Sequence, residues 1–221
     1  MFNYKFHWNQ AFKALPEMLH GALITLQIAI IAMVVGILIA IVLTSFRRSG
    51  NKFLSGTATT WVEIARNTPA LFQIYMVHFG LGAFGIHLSP YMSLLIGIAF
   101  NNAGYLAENF RGALKAIPDT QTRAARSLGM SSNQAFRLIV VPQMLKIAYP
   151  TITNQLVWSI LMTSLGITVG MQTDLAGIAQ KLNAVSFRTF EFFALAAVIF
   201  YAMTKIVLFI AWLIGRRAFR Y

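Results

Sequence analysis

The sequence predicts an all-α integral membrane protein of about five transmembrane helices, with a short cytosolic helix between the third and fourth. Three observations predict it: charge is scarce, apolar runs recur at bilayer length, and Lys and Arg gather on one side of those runs. Only 11% of the 221 residues are charged and 57% are hydrophobic, giving a mean hydropathy of +0.65. A soluble domain carries roughly 25% charged residues. Lipid-exposed helices account for this balance better than a hydrated globule does.

A span needs roughly 20 mostly apolar residues to cross a hydrocarbon core of about 30 Å. That ruler predicts spans at about 19–43, 70–86, 91–106, 147–171 and 192–214. The first is uninterrupted and stops at Arg47 and Arg48; the second is shorter and rich in glycine. The third ends at Glu108 and Arg111, and the fifth at Arg216 and Arg217. The chain is thus divided into an outer-side segment 1–18, a transmembrane region 19–215 containing a cytosolic loop 111–146, and a cytosolic tail 216–221. The first 21 residues lack the basic start, apolar core and small-residue cleavage site of a signal peptide, so the first span is expected to be retained.

Five crossings put the termini on opposite sides, and the positive charges assign them. The formal net charge is +12. Arg47, Arg48, Lys52, Arg66, Arg111, Lys115, Arg123, Arg126, Arg137, Lys146, Arg216, Arg217 and Arg220 fall on one side, against Lys5, Lys13, Lys181 and Arg188 on the other. Cytoplasmic loops carry the Lys/Arg excess, which predicts an outer N-terminus and a cytosolic C-terminus. The basic surplus therefore reads as topology, not as a nucleic-acid surface. Lys205 stands alone inside the fifth span. A charge there is expected to face protein or a water-filled cavity.

The cytosolic loop is built for contact. Pro118 ends the helix continuing from the third span, because the residue before a proline avoids α geometry. DTQTRAARSLG then reads as a short helix, with Asp119 or Thr120 at its start and Gly129 at its end. A second short helix is expected from about Ser131 to Val141, before Pro142. Ala124, Ala125, Ser127 and Gly129 keep the first helix slender. Arg123 and Arg126, one turn apart, give it a basic edge suited to an acidic partner. A short helix of plain connection is the competing reading.

Several motifs are excluded. GLGAFG, Gly80 to Gly85, follows no strand and reads as a turn. The sequence has no G-x-x-x-x-G-K-[ST], so it supplies no ATPase. It has no cysteine, and His7, His20, His78 and His87 have no metal-ligand spacing. Gly166 and Gly170 form a G-x-x-x-G suited to close helix packing, including packing with a second membrane subunit.

YLAENFRGALKAIPDTQTRAARSLGMSSNQAFRLIVVPQ resembles the loop of ABC importer permeases, especially the polar amino-acid uptake family (histidine, glutamine, arginine and glutamate type). Tyr105, Ala107, Glu108, Arg111, Gly112, Ile117, Pro118, Gln121, Ala124, Ala125, Leu128, Gly129 and Pro142 carry the resemblance. VEIARNTPALFQIYMVHFGL is similar to the start of that family's second span through Glu63, Arg66, Asn67, Pro69 and Gln73, and LPEMLHGALITLQIA to its first through Pro16, Gly21 and Thr25. The resemblance implies a non-catalytic subunit forming half of a translocation pore in a bacterial inner (plasma) membrane. It implies that Arg123, Ala124, Ala125, Arg126, Ser127, Leu128 and Gly129, with Pro142, couple to cytosolic ATP-binding subunits, which hold the ATP and Mg. It also implies a second permease copy or paralogue and an extracytoplasmic amino-acid-binding protein. Arg123 stands where the family usually has glutamate, and Thr120 where it has glycine. Leu161 and Met162 occupy two positions that are polar in the family, ahead of the retained Thr163, Ser164 and Leu165. These departures favour a heterodimeric pore.

Polar side chains inside a membrane tend to face protein or water. Asn67, Thr68, Gln73, Asn101, Asn102, Tyr105, Thr163 and Ser164 are the expected pathway residues, since neutral amides and hydroxyls can bond both the carboxylate and the ammonium of an amino acid. Interhelical bonding is the equal alternative for them. Glu108 with Arg111, and Glu63 with Arg66, read first as local ion pairs. Two other functions compete with the importer: a secondary amino-acid transporter driven by an ion gradient, and a membrane enzyme. The first calls for inverted repeats and broken helices around an ion site, the second for a catalytic constellation that six acidic residues do not supply.

Overall fold

A computed structural model describes residues 4–218. Arg220, the last three residues of the expected tail 216–221 and the first three of segment 1–18 lie outside them. The described residues form helices and no strand. Helix α1 (Trp8–Lys13) leads into α2 (Leu15–Arg47), followed by α3 (Lys52–Asn67), α4 (Ala70–Tyr75) and α5 (Pro90–Lys115). Then come α6 (Asp119–Ser127), α7 (Ser132–Ala135), α8 (Val141–Met162), α9 (Leu175–Ser186) and α10 (Thr189–Ala218).

Three helical stretches are long and apolar enough to cross a membrane: Leu15–Arg47, Ser132–Val169 and Thr189–Ala218. Helix α5 is 26 residues long, about 39 Å at 1.5 Å per residue, but carries Asn101, Asn102, Glu108 and Arg111. The expected second span, 70–86, is instead a short apolar helix, Ala70–Gly80, which reaches only about 16 Å. Its last turn is π-helical, Met76–Gly80, and the chain turns at Gly85 with φ +81°. Directly upstream lies α3, which no apolar run announced. Val62 and Ala65 of α3 pack beside Gly104, and Ile74 of α4 packs beside Gly97. Helices α3 and α4 thus form one broken arm running antiparallel to α5.

Helix α2 is the spine. Gly21, Thr25, Ala29, Ala32, Gly36 and Ala40 are buried along it at three- and four-residue spacing. Small residues let helix backbones approach closely: a Cβ on Gly36 would lie 2.6 Å from the Asn102 Cβ of α5. One end of the bundle packs Met18, Ala22, Leu175, Ile178 and Phe192 from α2, α9 and α10. The other packs Leu43, Val62, Phe110 and Met144 from α2, α3, α5 and α8. At the first end, buried Glu191 accepts hydrogen bonds from the Tyr4 hydroxyl and the His7 amide, strapping the N-terminal segment to the start of α10.

One local expectation changes. Pro142 does not end a helix, because Phe136–Val140 widens into a π turn and relieves the ladder where proline has no N–H. The chain stays helical from Ser132 to Val169. Lys205 is exposed, its ammonium 5.3 Å from the Tyr201 ring centroid, so this chain does not itself bury that charge.

Asp174 caps α9 by accepting from the amides of Ala176 and Gly177 at 3.3 and 3.2 Å. It is fully buried, and burial pushes its carboxyl up to about 6 despite those bonds. The ordinary value is about 3.9, so the folded state holds the proton more tightly than the unfolded one. Stability should then rise as pH falls from 7 through about 6 towards about 4. Asp174→Asn keeps the cap and should flatten that rise, read from thermal midpoints of the purified chain at a series of pH values.

Candidate functional site

The break between α3 and α4 organises the polar residues. Pro69 has no amide hydrogen, so the Ala65 carbonyl four residues back loses its helical donor. In a membrane such a group must find another partner. Gln73 Nε2 donates to it at 2.9 Å, and to the Thr68 carbonyl and hydroxyl at 3.1 and 2.9 Å. Asn101 Nδ2 donates to the same Ala65 carbonyl at 3.3 Å and to Gln73 Oε1 at 3.0 Å. Gln73, 7% exposed, therefore repairs the break from behind.

In front of the break lies a cavity of about 580 Å³. Thr68, Pro69 and Ala70 form one wall. Asn101, Tyr105 and Asn109, spaced four apart on one face of α5, form the second. The third comes from α8: Thr151, Asn154, Gln155, Trp158 and Met162. None of these side chains is ionised, so the site offers amides, hydroxyls and aromatic faces to a guest. Trp158 is 55% exposed and Tyr105 38%, and the Tyr105 hydroxyl donates to the Arg66 carbonyl at 3.5 Å.

Of the pathway residues read from sequence, Thr68, Asn101 and Tyr105 meet here. Asn102 faces the other way: its amide donates to Ser159 at 2.9 Å and accepts from Gln155 at 3.0 Å. It thereby fixes the Gln155 side chain that lines the cavity. Asn67 donates to the carbonyl and carboxylate of Glu63 and lies outside, as does buried Gln73. Thr163 and Ser164 donate to the carbonyls of Ile160 and Leu161. Ser164 borders a separate groove between α8 and α10. The lining residues that sequence reading missed are Asn109, Thr151, Asn154, Gln155 and Trp158, while Met162 stands at one of the two positions that the resemblance marks as polar in the family. Asn154 and Gln155 stand inside the expected fourth span, and the rule that selected Asn101 applied equally to them.

Beside the cavity, Glu108 gathers arginines from three helices. Arg47 of α2 donates to it at 2.8 Å, Arg111 of α5 is paired with it, and Arg66 at the end of α3 lies 4.0 Å away. Glu108 and Arg111 thus belong to a larger cluster than the local pair expected, and Arg66 turns to Glu108 where Glu63 holds Asn67.

On α6, Arg123, Ala124, Arg126, Ser127, Leu128 and Gly129 are exposed and Ala125 is buried against the bundle. Leu128 is 82% exposed, and Gly129 ends the helix at φ +87° with open space where a Cβ would sit. Pro142 stands apart, at the head of α8. Among the described residues no group of three or more His, Cys, Asp or Glu gathers as a metal site.

A bundle of membrane-length helices around an uncharged polar cavity, with a bare small-residue helix at one end, defines a membrane transport subunit. Residues 32–220 match the family described as "Binding-protein-dependent transport system inner membrane component", and the chain belongs to it: it is an ABC-transporter permease subunit, multi-pass in the inner membrane. It is 29% identical over 215 residues to the glutamine transport system permease protein GlnP of Escherichia coli (strain K12), covering 96% of this chain and 98% of that one. It is 33% identical over 215 residues to the octopine transport system permease protein OccM of Rhizobium radiobacter, covering 93% and 86%. The structure superposes with TM-score 0.86 and 27% identity on a chain of a solved amino acid ABC transporter with histidines, covering 97% of this chain and all of that one.

Proposed function

We propose that this chain is the permease subunit of an ATP-driven importer for polar amino acids. In this reading the chain makes about five crossings, with α3 and α4 together as the broken second, and supplies half of the pore. The cavity at the break is its share of the pathway, and α6 is the handle that cytosolic ATPase subunits grip, ATP and Mg being theirs to bind. An extracytoplasmic binding protein delivers the substrate. The observation that carries the reading is the cavity: a 580 Å³ space walled by amides, hydroxyls and two aromatic rings suits a zwitterion, whose carboxylate accepts from neutral groups and whose ammonium donates to them. The names of the relatives support the amino-acid class. The Lys/Arg asymmetry supports an outer N-terminus, because Arg47, Arg111 and α6 share the end that would be cytosolic.

Rigid packing of α6 against the π turn and α7 would transmit a push from the ATPases into α8, which supplies one of the three cavity walls. Met162 lines this cavity where relatives of the family have a polar residue, and Arg123 reverses a charge on α6. Both support pairing with a non-identical permease that supplies the charged contacts. Copurification yielding two copies of this chain and no second permease would defeat that pairing.

The test is uptake in proteoliposomes containing the assembled transporter. Uptake should require ATP and binding protein, and Asn154→Leu should lower it about tenfold, the loss expected when one polar contact to a charged ligand group goes. ATPase association should be unchanged in that variant. Uptake that persists without ATP and collapses with the ion gradient means a secondary transporter instead.

A further inference from the structure

A second cavity, about 480 Å³, lies between the ends of α2 and α5, the start of α3 and the start of α6. We propose that it binds the phosphate of an anionic phospholipid headgroup, so that a lipid ties the membrane helices to α6. Four cations line it: Arg47, Arg48, Arg111 and Lys115. Against them stand two carboxylates. Glu108 engages Arg47 and Arg111, and Asp119 lines the cavity with them. Among the described residues Arg48 and Lys115 have no carboxylate partner, and the Arg48 guanidinium lies 5.6 Å from the Phe136 ring centroid. The pocket therefore keeps an excess of two positive charges, which calls for an anion.

The position selects a lipid. The apolar run of α2 ends at Leu43, four residues before Arg47, about 6 Å at helical rise. Thus the cations sit where a bilayer has its phosphates. Beside the pocket, the first turn of α3 exposes Phe53 by 75% next to Lys52, an apolar ring and a cation arranged as at a membrane interface. Basic pockets between membrane helices on the cytoplasmic side are suited to anionic headgroups. Because Thr122 of α6 also lines the space, a seated headgroup would touch both the bundle and the contact helix.

The purified chain, delipidated and given equal phosphatidylglycerol and phosphatidylcholine, is examined by native mass spectrometry. Phosphatidylglycerol should be retained preferentially, and the double variant R48Q/K115Q should weaken that preference about tenfold, each cation near an anionic surface contributing appreciably. Arg48→Lys should preserve it. Lys115→Gln alone, at an exposed side chain with no carboxylate partner among the described residues, should give a partial loss, so the outcome is readable even where the double variant folds poorly. Undiminished preference in well-folded R48Q/K115Q overturns the site. Displacement of the bound lipid by millimolar inorganic phosphate assigns the pocket to free phosphate and overturns the lipid.

Discussion

Gly129→Asp is expected to cut ATP-driven uptake about a hundredfold and to release the ATPase subunits, while the membrane bundle stays folded. Gly129 closes α6 at φ +87°, with nothing within 4 Å of the place a Cβ would take. The substitution therefore meets no atom of the described chain and costs only the left-handed backbone, about 1–2 kcal/mol. Under the proposed docking its new charge would enter the contact beside Leu128, a large apolar side chain that this chain leaves 82% exposed. A desolvated, unpaired carboxylate in such an interface costs several kcal/mol. Gly129→Asn has nearly the same shape without the charge and should retain most of the coupling. Measured uptake and ATPase copurification that survive in the aspartate variant would remove α6 as the docking element.

Gly104→Leu is expected to be the most damaging single change in the bundle. Any side chain at 104 would strike the Ala65 Cβ, with the Val62 carbonyl close behind at 3.7 Å, so α3 must leave α5. Overpacking of a tight core costs about 1–3 kcal/mol. Here the displacement also pulls Ala65 away from Asn101 and Gln73, leaving its carbonyl without the donors that replace the missing Pro69 amide. The two costs together should bring the loss to about 4 kcal/mol. It would be read as a lowered thermal midpoint in detergent and a fall in assembled transporter. Gly104→Ala should show a smaller loss of the same kind. Wild-type stability in the leucine variant would mean that α3 does not lie where the structure has it.

These two glycines differ in how they could be recognised. Gly129 was legible because helix ends have local chemistry: proline before, small residues within, glycine after. The same locality made α6 visible in DTQTRAARSLG, although Pro118, not Asp119 or Thr120, precedes its first helical residue and no side chain caps it. Gly104 carried no such message, since its role is set by Ala65, which reaches it only across the packed arm. Nor did α3 announce itself as a helix packed along α5. Its polar face, with Ser55, Thr59 and Glu63, breaks the apolar run that a hydropathy ruler needs, yet Ala58, Val62 and Ala65 are buried on the other.

Composition, span length and the Lys/Arg asymmetry are properties of single residues and short windows, and for that reason the sequence alone determined the membrane class, the long first and last helices and the exposed short helix α6. What a buried amide does depends on which neighbours surround it, and neighbours are chosen by packing. Only the tertiary structure could decide that Gln73 mends a break, that Asn102 steadies Gln155, and that Asn101 joins Asn154 and Trp158 around a cavity. Asn101 and Asn102 are adjacent in the chain, but successive helical residues lie about 100° apart around the axis, so one faces the broken arm and the other faces Ser159.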